Sequence, residues 1–285
     1  MLYFDHAATT PVHPKVVKKM EDVSRQDYGN PSSVYSSGRV AKSIIEDARS
    51  QIASLIDASP SEIYFTGSGT EANNIVLWSM LYNEKKHVIT SAIEHPAVLK
   101  VLEELQYFGV TFDVLPVDST GLVDPKDVEM AIKKDTGMIS IMYVNNEIGT
   151  IQSLQKLIEI SKKRSILFHS DCVQVIGKLP LSVLKIEADY MTFSAHKFYG
   201  PKGIGFLYRR KGAPLRPLVI GGGQESNIRA GTENISGIAG LGVAAKLADQ
   251  NLNSRIDHLF QLEKYFKNNI IQKLPHIIFN GNNDQ

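Results

Sequence analysis

Apolar residues recur along this chain in two periods that take turns. Val16, Val17, Met20 and Val23 follow Pro14 at helical spacing, and Val40, Ile44, Ile45, Ala48, Ile52, Leu55 and Ile56 make a longer stripe along one side of a second helix. Both stripes predict helices that face a core. Short apolar runs then alternate with further helix patterns. "EIYFT" (62–66), "HVITSA" (87–92), "TFDVLPV" (111–117), "MISIMYV" (138–144), "SILFH" (165–169) and "DYMTFS" (189–194) each read as a buried strand. Between them helices are predicted from about Thr70, from Pro96, after Asp124-Pro125 and through Ile158. This rhythm predicts an α/β architecture, a wide and mostly parallel sheet covered by helices on both faces. No internal repeat or low-complexity linker interrupts it. The composition changes only at "DQNLNSR" (249–255), ahead of a final helix pattern and the strand-like "HIIFNG" (276–281), and a domain boundary is placed there.

Composition narrows the functional classes. A chain of 285 residues, 43% apolar and 21% charged, has the make-up of an ordinary globular protein with one large domain or two smaller ones. A formal net charge of +1 gives no general attraction to nucleic acid or to an anionic membrane surface. The single cysteine, Cys172, has no internal partner for a disulfide, which fits a reducing compartment. "MLYFDHAATTP" lacks a basic n-region and places Asp5 where a signal peptide is apolar. The longest apolar stretch, "ISGIAGLGVAAKLA" (235–248), is glycine-rich and broken by Lys246. A cytoplasmic protein with no membrane span and no nucleic-acid partner is expected.

Parallel sheets bind ligands beyond the carboxyl ends of their strands, so the residues that follow each strand carry the candidate chemistry. After "EIYFT" comes "GSGTEANN" (67–74), a glycine-rich turn opening a helix, whose amides and the hydroxyls of Ser68 and Thr70 suit a phosphate. Gly67, Gly69 and Ala72 also satisfy the loose dinucleotide fingerprint, with Glu94 standing where a ribose-binding acid belongs; a tight turn with glycines for backbone reasons reads equally well. His95 and Pro96 follow the next strand, where a histidine is more often a helix cap than a catalyst. Asn145 and Asn146 end another, as ligand donors or as a turn. Asp171 ends the strand after that, with Gln174 three residues on. A buried carboxylate needs a partner, either a cationic ligand atom or the amides of the following segment. Last come His196 and Lys197, in "SAHKFYGPKG" (194–203), a lysine at the end of a buried strand, where a charged amine is costly unless the site uses it.

Each residue alone leans toward a structural role. Together they put a phosphate cradle, a ring-stacking candidate, a buried carboxylate and a strand-end lysine at one edge of one sheet. Pyridoxal phosphate needs those parts: a lysine to bond its aldehyde, an acid for its pyridine nitrogen and donors for its phosphate. A nicotinamide cofactor would use the glycines and leave Lys197 and Asp171 idle. No metal site is indicated.

The sequence also resembles a known family. "YFDHAATTP", "NPSS", "GSGTEANN", "EHPAV", "VNNEIGT", "HSDCVQVIGK", "SAHKFYGPKGIGFLY" and "GGGQESNIRAGTEN" are similar, in order and across nearly the whole chain, to the signatures of the NifS/IscS-type cysteine desulfurases, class V of the aminotransferase fold. The resemblance implies the fold-type-I arrangement: a seven-stranded, mostly parallel sheet over residues 15–253. It also implies a smaller α+β domain, to which residues 1–14 and a truncated segment 254–285 contribute. It implies Lys197 as the residue that bonds pyridoxal phosphate, His95 as ring-stacking and acid/base residue, and Asp171 as partner of the pyridine nitrogen. Gln174 and Asn146 would contact the ring-hydroxyl side. Gly69, Thr70, Ser194 and His196 would hold the phosphate, joined by Thr232 from a second subunit of a homodimer. The implied reaction converts L-cysteine to L-alanine and passes the sulfur, as a persulfide on a cysteine thiolate, toward a sulfur-acceptor or iron–sulfur scaffold protein.

Two departures qualify the resemblance. The family's nucleophilic cysteine and its arginine for the substrate carboxylate belong to a C-terminal part expected beyond residue 285, and Cys172, directly after Asp171 on an extended segment, faces away from the carboxylate. Tyr35 stands where the family usually has histidine, a change with no mechanistic account. Alternative readings are a pyridoxal-phosphate-binding homologue without desulfurase activity, a selenocysteine lyase and a class V aminotransferase.

Overall fold

A computed structural model of the chain describes residues 2–282; Met1 and residues 283–285, the outer ends of the predicted first and last segments, lie outside the described residues. Seven strands form one sheet: β1 (Ile63–Thr66), β2 (His87–Ser91), β3 (Thr111–Leu115), β4 (Thr136–Ser140), β5 (Leu167–Asp171), β6 (Tyr190–Ser194) and β7 (Gly205–Arg209). Their spatial order is β1-β7-β6-β5-β4-β2-β3. Neighbours from β6 through β3 pair in parallel, while β7 is antiparallel to both β6 and β1, so a single strand runs against the rest. The mostly parallel sheet is as the alternating pattern predicts. The periodicity misses β7, whose "GIGFLYRR" opens on glycines and passes for the tail of the lysine turn. It also reads "HIIFNG" as a strand, but residues 276–281 are irregular, having no neighbouring strand to pair with among the described residues.

Helices cover both faces: α1 (Pro14–Gln26), α2 (Ser36–Leu55), α3 (Gly69–Trp78), α4 (Pro96–Leu105), α5 (Pro125–Ala131), α6 (Leu154–Lys163), α7 (Val183–Ile186), α8 (Ile235–Gln250) and α9 (Leu252–Lys273). Several start on the same device, a proline at the first position preceded by a side chain that caps it. His13 Nδ1 accepts from the Lys15 amide, His95 Nδ1 from Ala97 and Asp124 Oδ1 from Lys126, at 3.1, 3.0 and 2.9 Å. Strand side chains alternate between two cores. Phe65, Ile89, Ile139 and Phe168 face a core with α1, α2, α6 and α8, while Tyr64, Val88 and Met138 face one with α3 and α4. Removing each such side chain from water contributes about 1.5–3 kcal/mol.

The glycine-rich α8 belongs to this packing. A Cβ on Gly240 would lie 2.8 Å from Met20 Cγ of α1, and one on Gly242 would lie 2.8 Å from Ala48 Cβ of α2. Its small residues thus admit two neighbouring helices, and among the described residues no helix is long and apolar enough to cross a membrane. By contrast α9 buries none of its residues and exposes Phe260 and Tyr265.

Candidate active site

The carboxyl ends of β1, β2, β4, β5 and β6 converge on one cavity of about 310 Å³. At the end of β1, Ser68 leaves the strand and its Oγ accepts from the Glu71 amide at 3.1 Å, which starts α3. The first amides of that helix have no intrahelical partner and carry the positive end of its dipole. Glycine is required at position 69, where a Cβ would fall 2.6 Å from Val173 Cγ2. Ser194, at the end of β6, and His196, just beyond it, complete a set of donors suited to an anion. His196 Nδ1 shares a hydrogen bond with Thr9 Oγ1 at 3.0 Å.

Asp171 ends β5 almost fully buried. Its Oδ2 accepts from Asn73 Nδ2 at 2.7 Å and its Oδ1 from the Val173 amide at 3.0 Å. Burial raises its pKa above the usual carboxylate value, against those two bonds and the charges of His95 and Lys197, which act to lower it. A carboxylate held in this state gains from a cation placed against it. Asn73 fixes the geometry: its own Oδ1 accepts from Thr192 Oγ1 at 2.5 Å, so its NH2 is committed to Asp171.

Lys197 ends the turn Ala195–Lys197 after β6 and is half-buried. Its Nζ donates to the carbonyls of Ala7 and Ala8 at 2.6 and 2.8 Å. Burial lowers its pKa, opposed by the negative charges of Asp171, Asp5 and Glu147. The N-terminal segment is strapped over this turn, since the Thr10 amide donates to His196 O at 2.9 Å and the Tyr199 amide to Thr10 Oγ1 at 2.7 Å.

Nine of the ten residues that the resemblance assigns to the cofactor line this cavity: Gly69, Thr70, His95, Asn146 and Asp171 on one part of the wall, Gln174, Ser194, His196 and Lys197 on the rest. Thr232 lies elsewhere, exposed, beside a separate cavity with Gly67, Glu225 and Arg229. Glu94 is not a ribose-binding acid. It turns inward, accepts from Ser91 Oγ and the Met142 amide at 2.6 and 2.8 Å, and is pushed up to about 8 by burial. Of the two asparagines after β4, Asn145 is the structural one, its Nδ2 donating to Ile93 O and its Oδ1 accepting from the Glu147 and Ile148 amides. Asn73 and the carbonyls of Ala7 and Ala8 are absent from the sequence reading. Only the second asparagine pair, "NN" inside an otherwise apolar helix face, hints at the first.

The donor set fits pyridoxal phosphate. It offers an anion cradle at a helix start, a buried carboxylate with lone pairs to spare for a protonated ring nitrogen, and an amine of lowered pKa on the same cavity. Cys172 does not belong to it, being fully buried with its thiol pushed far up by burial.

A family model described as aminotransferase class-V matches residues 2–285. A protein named cysteine desulfurase IscS from Dictyoglomus turgidum is 44% identical over 283 residues, 98% of this chain and 72% of the relative. Its namesake from Methanosarcina thermophila is 43% identical over all of this chain and 71% of the relative. Among solved structures, a NifS-like protein superposes with a TM-score of 0.93 at 42% identity, covering 95% of this chain and 76% of that one. A structure described as SspA in complex with cysteine does so at 0.84 and 39% identity, covering 86% and 72%.

Proposed function

This chain belongs to the class-V aminotransferase family, and on that premise we propose how its own residues carry out the pyridoxal-phosphate-dependent desulfuration of L-cysteine. The observation that carries the reading is the meeting of Asp171 and Lys197 on one cavity with the α3 anion cradle. When bound, pyridoxal phosphate supplies an electron sink for the carbanion formed at the substrate Cα. Ser194, His196 and the amides of Gly69 and Thr70 hold its phosphate. Asp171 holds the ring nitrogen protonated, an ion pair favoured by the burial that leaves this carboxylate without a cation. Lys197 bonds the cofactor, and once free its Nζ moves the proton at the substrate Cα.

His95 stacks on the ring, with Asn146 and Gln174 on the hydroxyl side. Because His95 Nδ1 accepts from the Ala97 amide, Nε2 is the ring nitrogen left to face a bound substrate. The sulfur leaves by attack of a thiolate on the substrate Sγ; the C–S bond breaks, a new S–S bond forms, and alanine remains. Cys172, the only cysteine in these 285 residues, is sealed in the core and is not that thiolate. The exposed position of Thr232, away from the cavity that holds Lys197 of its own chain, supports its reaching a second subunit's phosphate site in a homodimer. A cytoplasmic enzyme handing sulfur to an acceptor or scaffold protein is consistent with this chemistry.

The test supplies the loaded protein with L-cysteine and excess dithiothreitol as the thiolate. The expected products are alanine and sulfide in equal amounts, both lost in Lys197→Ala. Pyruvate and ammonia in place of alanine, or turnover only when a keto acid is added, overturns the reading.

A further inference from the structure

Lys197 is not the only amine that reaches this region. Lys178 follows Gln174 by four residues in the turn after β5, and lines a wider cavity of about 1160 Å³ that shares Asn146, Gln174 and Lys197 with the cofactor-sized one. Lys178 Nζ donates to Gln174 Oε1. Gln174 Nε2 in turn donates to Ala7 O at 2.9 Å, the same carbonyl that accepts from Lys197 Nζ at 2.6 Å. The two lysines are therefore joined through one amide and one carbonyl.

The chemistry of the amide makes this chain directional. An ammonium group donates and never accepts, whereas a glutamine amide accepts on one side and donates on the other. Among the described residues Lys178 has no carboxylate partner, and Gln174 Oε1 is its acceptor. If the amide turned over, its NH2 would face the Lys178 ammonium, donor against donor, and its oxygen would face the Ala7 carbonyl, acceptor against acceptor. Neighbouring cations add to the constraint. Arg255 is fixed nearby, its Nη1 donating to Gly177 O at 3.3 Å and its guanidinium lying 4.7 Å from the Tyr199 ring centre. Burial, with the charges of Lys197 and Arg255, brings Lys178 down to about 8, so below that pH it still carries its charge.

We infer that Lys178 is a positioning residue: by taking Gln174 Oε1 it commits the amide NH2 to the cofactor side, so that Gln174 meets the ring oxygen of pyridoxal phosphate as a donor. This rests on the pyridoxal-phosphate reading above. A donor at that oxygen favours its anionic form. Its loss therefore raises the pH midpoint of the bound cofactor's visible absorption band and weakens retention of the cofactor.

The experiment titrates the absorption of the loaded full chain and measures the Kd of pyridoxal phosphate by equilibrium dialysis. Lys178→Met is expected to move the midpoint up by about one pH unit and to weaken binding about tenfold, with Lys178→Arg within about threefold of wild type. In a Gln174→Ala background, Lys178→Met is expected to change nothing further, because its effect passes through that amide. An equal shift in the Gln174→Ala background would mean that charge acts through space and overturns the inference, as would a Lys178→Met protein indistinguishable from wild type. Wild type that takes up no pyridoxal phosphate defeats the parent reading instead. Lys178→Arg guards against misfolding: if it too loses the midpoint while its circular dichroism is native, the inference fails.

Discussion

At the start of β2 and β4, His87 is fully buried between Thr136 Oγ1 at 2.8 Å and Asp113 Oδ2 at 3.2 Å, and Lys133 Nζ closes on the same Asp113 oxygen at 2.6 Å. Beyond the other ends of those strands, Glu94 is buried with Oε2 unpartnered, and Asp171 on the adjacent β5 accepts two bonds while facing a cavity. Histidine, acid, lysine and hydroxyl occur at both ends. In the first cluster both ring nitrogens of the buried histidine are taken by protein groups; in the second, Asp171 keeps capacity in reserve beside open space. Residue type alone does not mark a site. Unused donors and acceptors around a cavity do.

Breaking the reserve at the cavity has the largest expected effect. Lys197→Ala is expected to lower turnover of L-cysteine by at least about 1000-fold, and Asp171→Asn by about 100-fold, with each protein still folded by circular dichroism. A variant of either kind with near-normal turnover would erase the distinction between the two ends. The reverse pattern is expected at the satisfied cluster. His87→Ala leaves a cavity and takes from Thr136 Oγ1 one of its two partners, the Lys133 amide remaining, costing about 2–4 kcal/mol in urea unfolding, while the loaded spectrum and the turnover per folded molecule stay unchanged.

Glu94 sharpens the comparison through pH. Its pKa in the folded protein, about 8, lies above the ordinary carboxylate value of 4.5, so the folded state binds the proton more tightly than the unfolded chain does. The stability it contributes is complete below about pH 4.5 and is lost as pH rises toward 8. Glu94→Gln removes that titration. Thermal midpoints of wild type are therefore expected to fall relative to the variant by roughly 3–6 °C between pH 5 and pH 8; parallel curves would show Glu94 to be ionised throughout. Cys172→Ala has the smallest effect, about 1 kcal/mol of stability, with unchanged cofactor uptake and no loss of native iodoacetamide labelling, because the buried thiol is not labelled to begin with.

Much of this is legible in the sequence, and what is not has physical causes. Strand-end positions 95, 171 and 197 stand out because short apolar runs deliver them to one edge of a parallel sheet. β7 does not, since its run opens on glycines and reads as the tail of the lysine turn, and the strand-like 276–281 fails because pairing needs a neighbour that periodicity cannot supply. Asn73 is hidden because an asparagine within a helix reads as neutral until Thr192 and Asp171 are seen on either side of it. The Ala7 carbonyl that joins Gln174 to Lys197 is backbone and leaves no trace in residue types. The dinucleotide reading of Glu94 fails for a related reason: proximity to a strand end does not say whether a side chain turns toward the cavity or into the core.

The most direct measurement of the central claim is borohydride reduction of the pyridoxal-phosphate-loaded protein followed by peptide mass mapping. The account predicts a single pyridoxyl-phosphate adduct, on the peptide carrying Lys197, and none in Lys197→Ala. An adduct on another lysine, or a visible band that borohydride leaves intact, would contradict it.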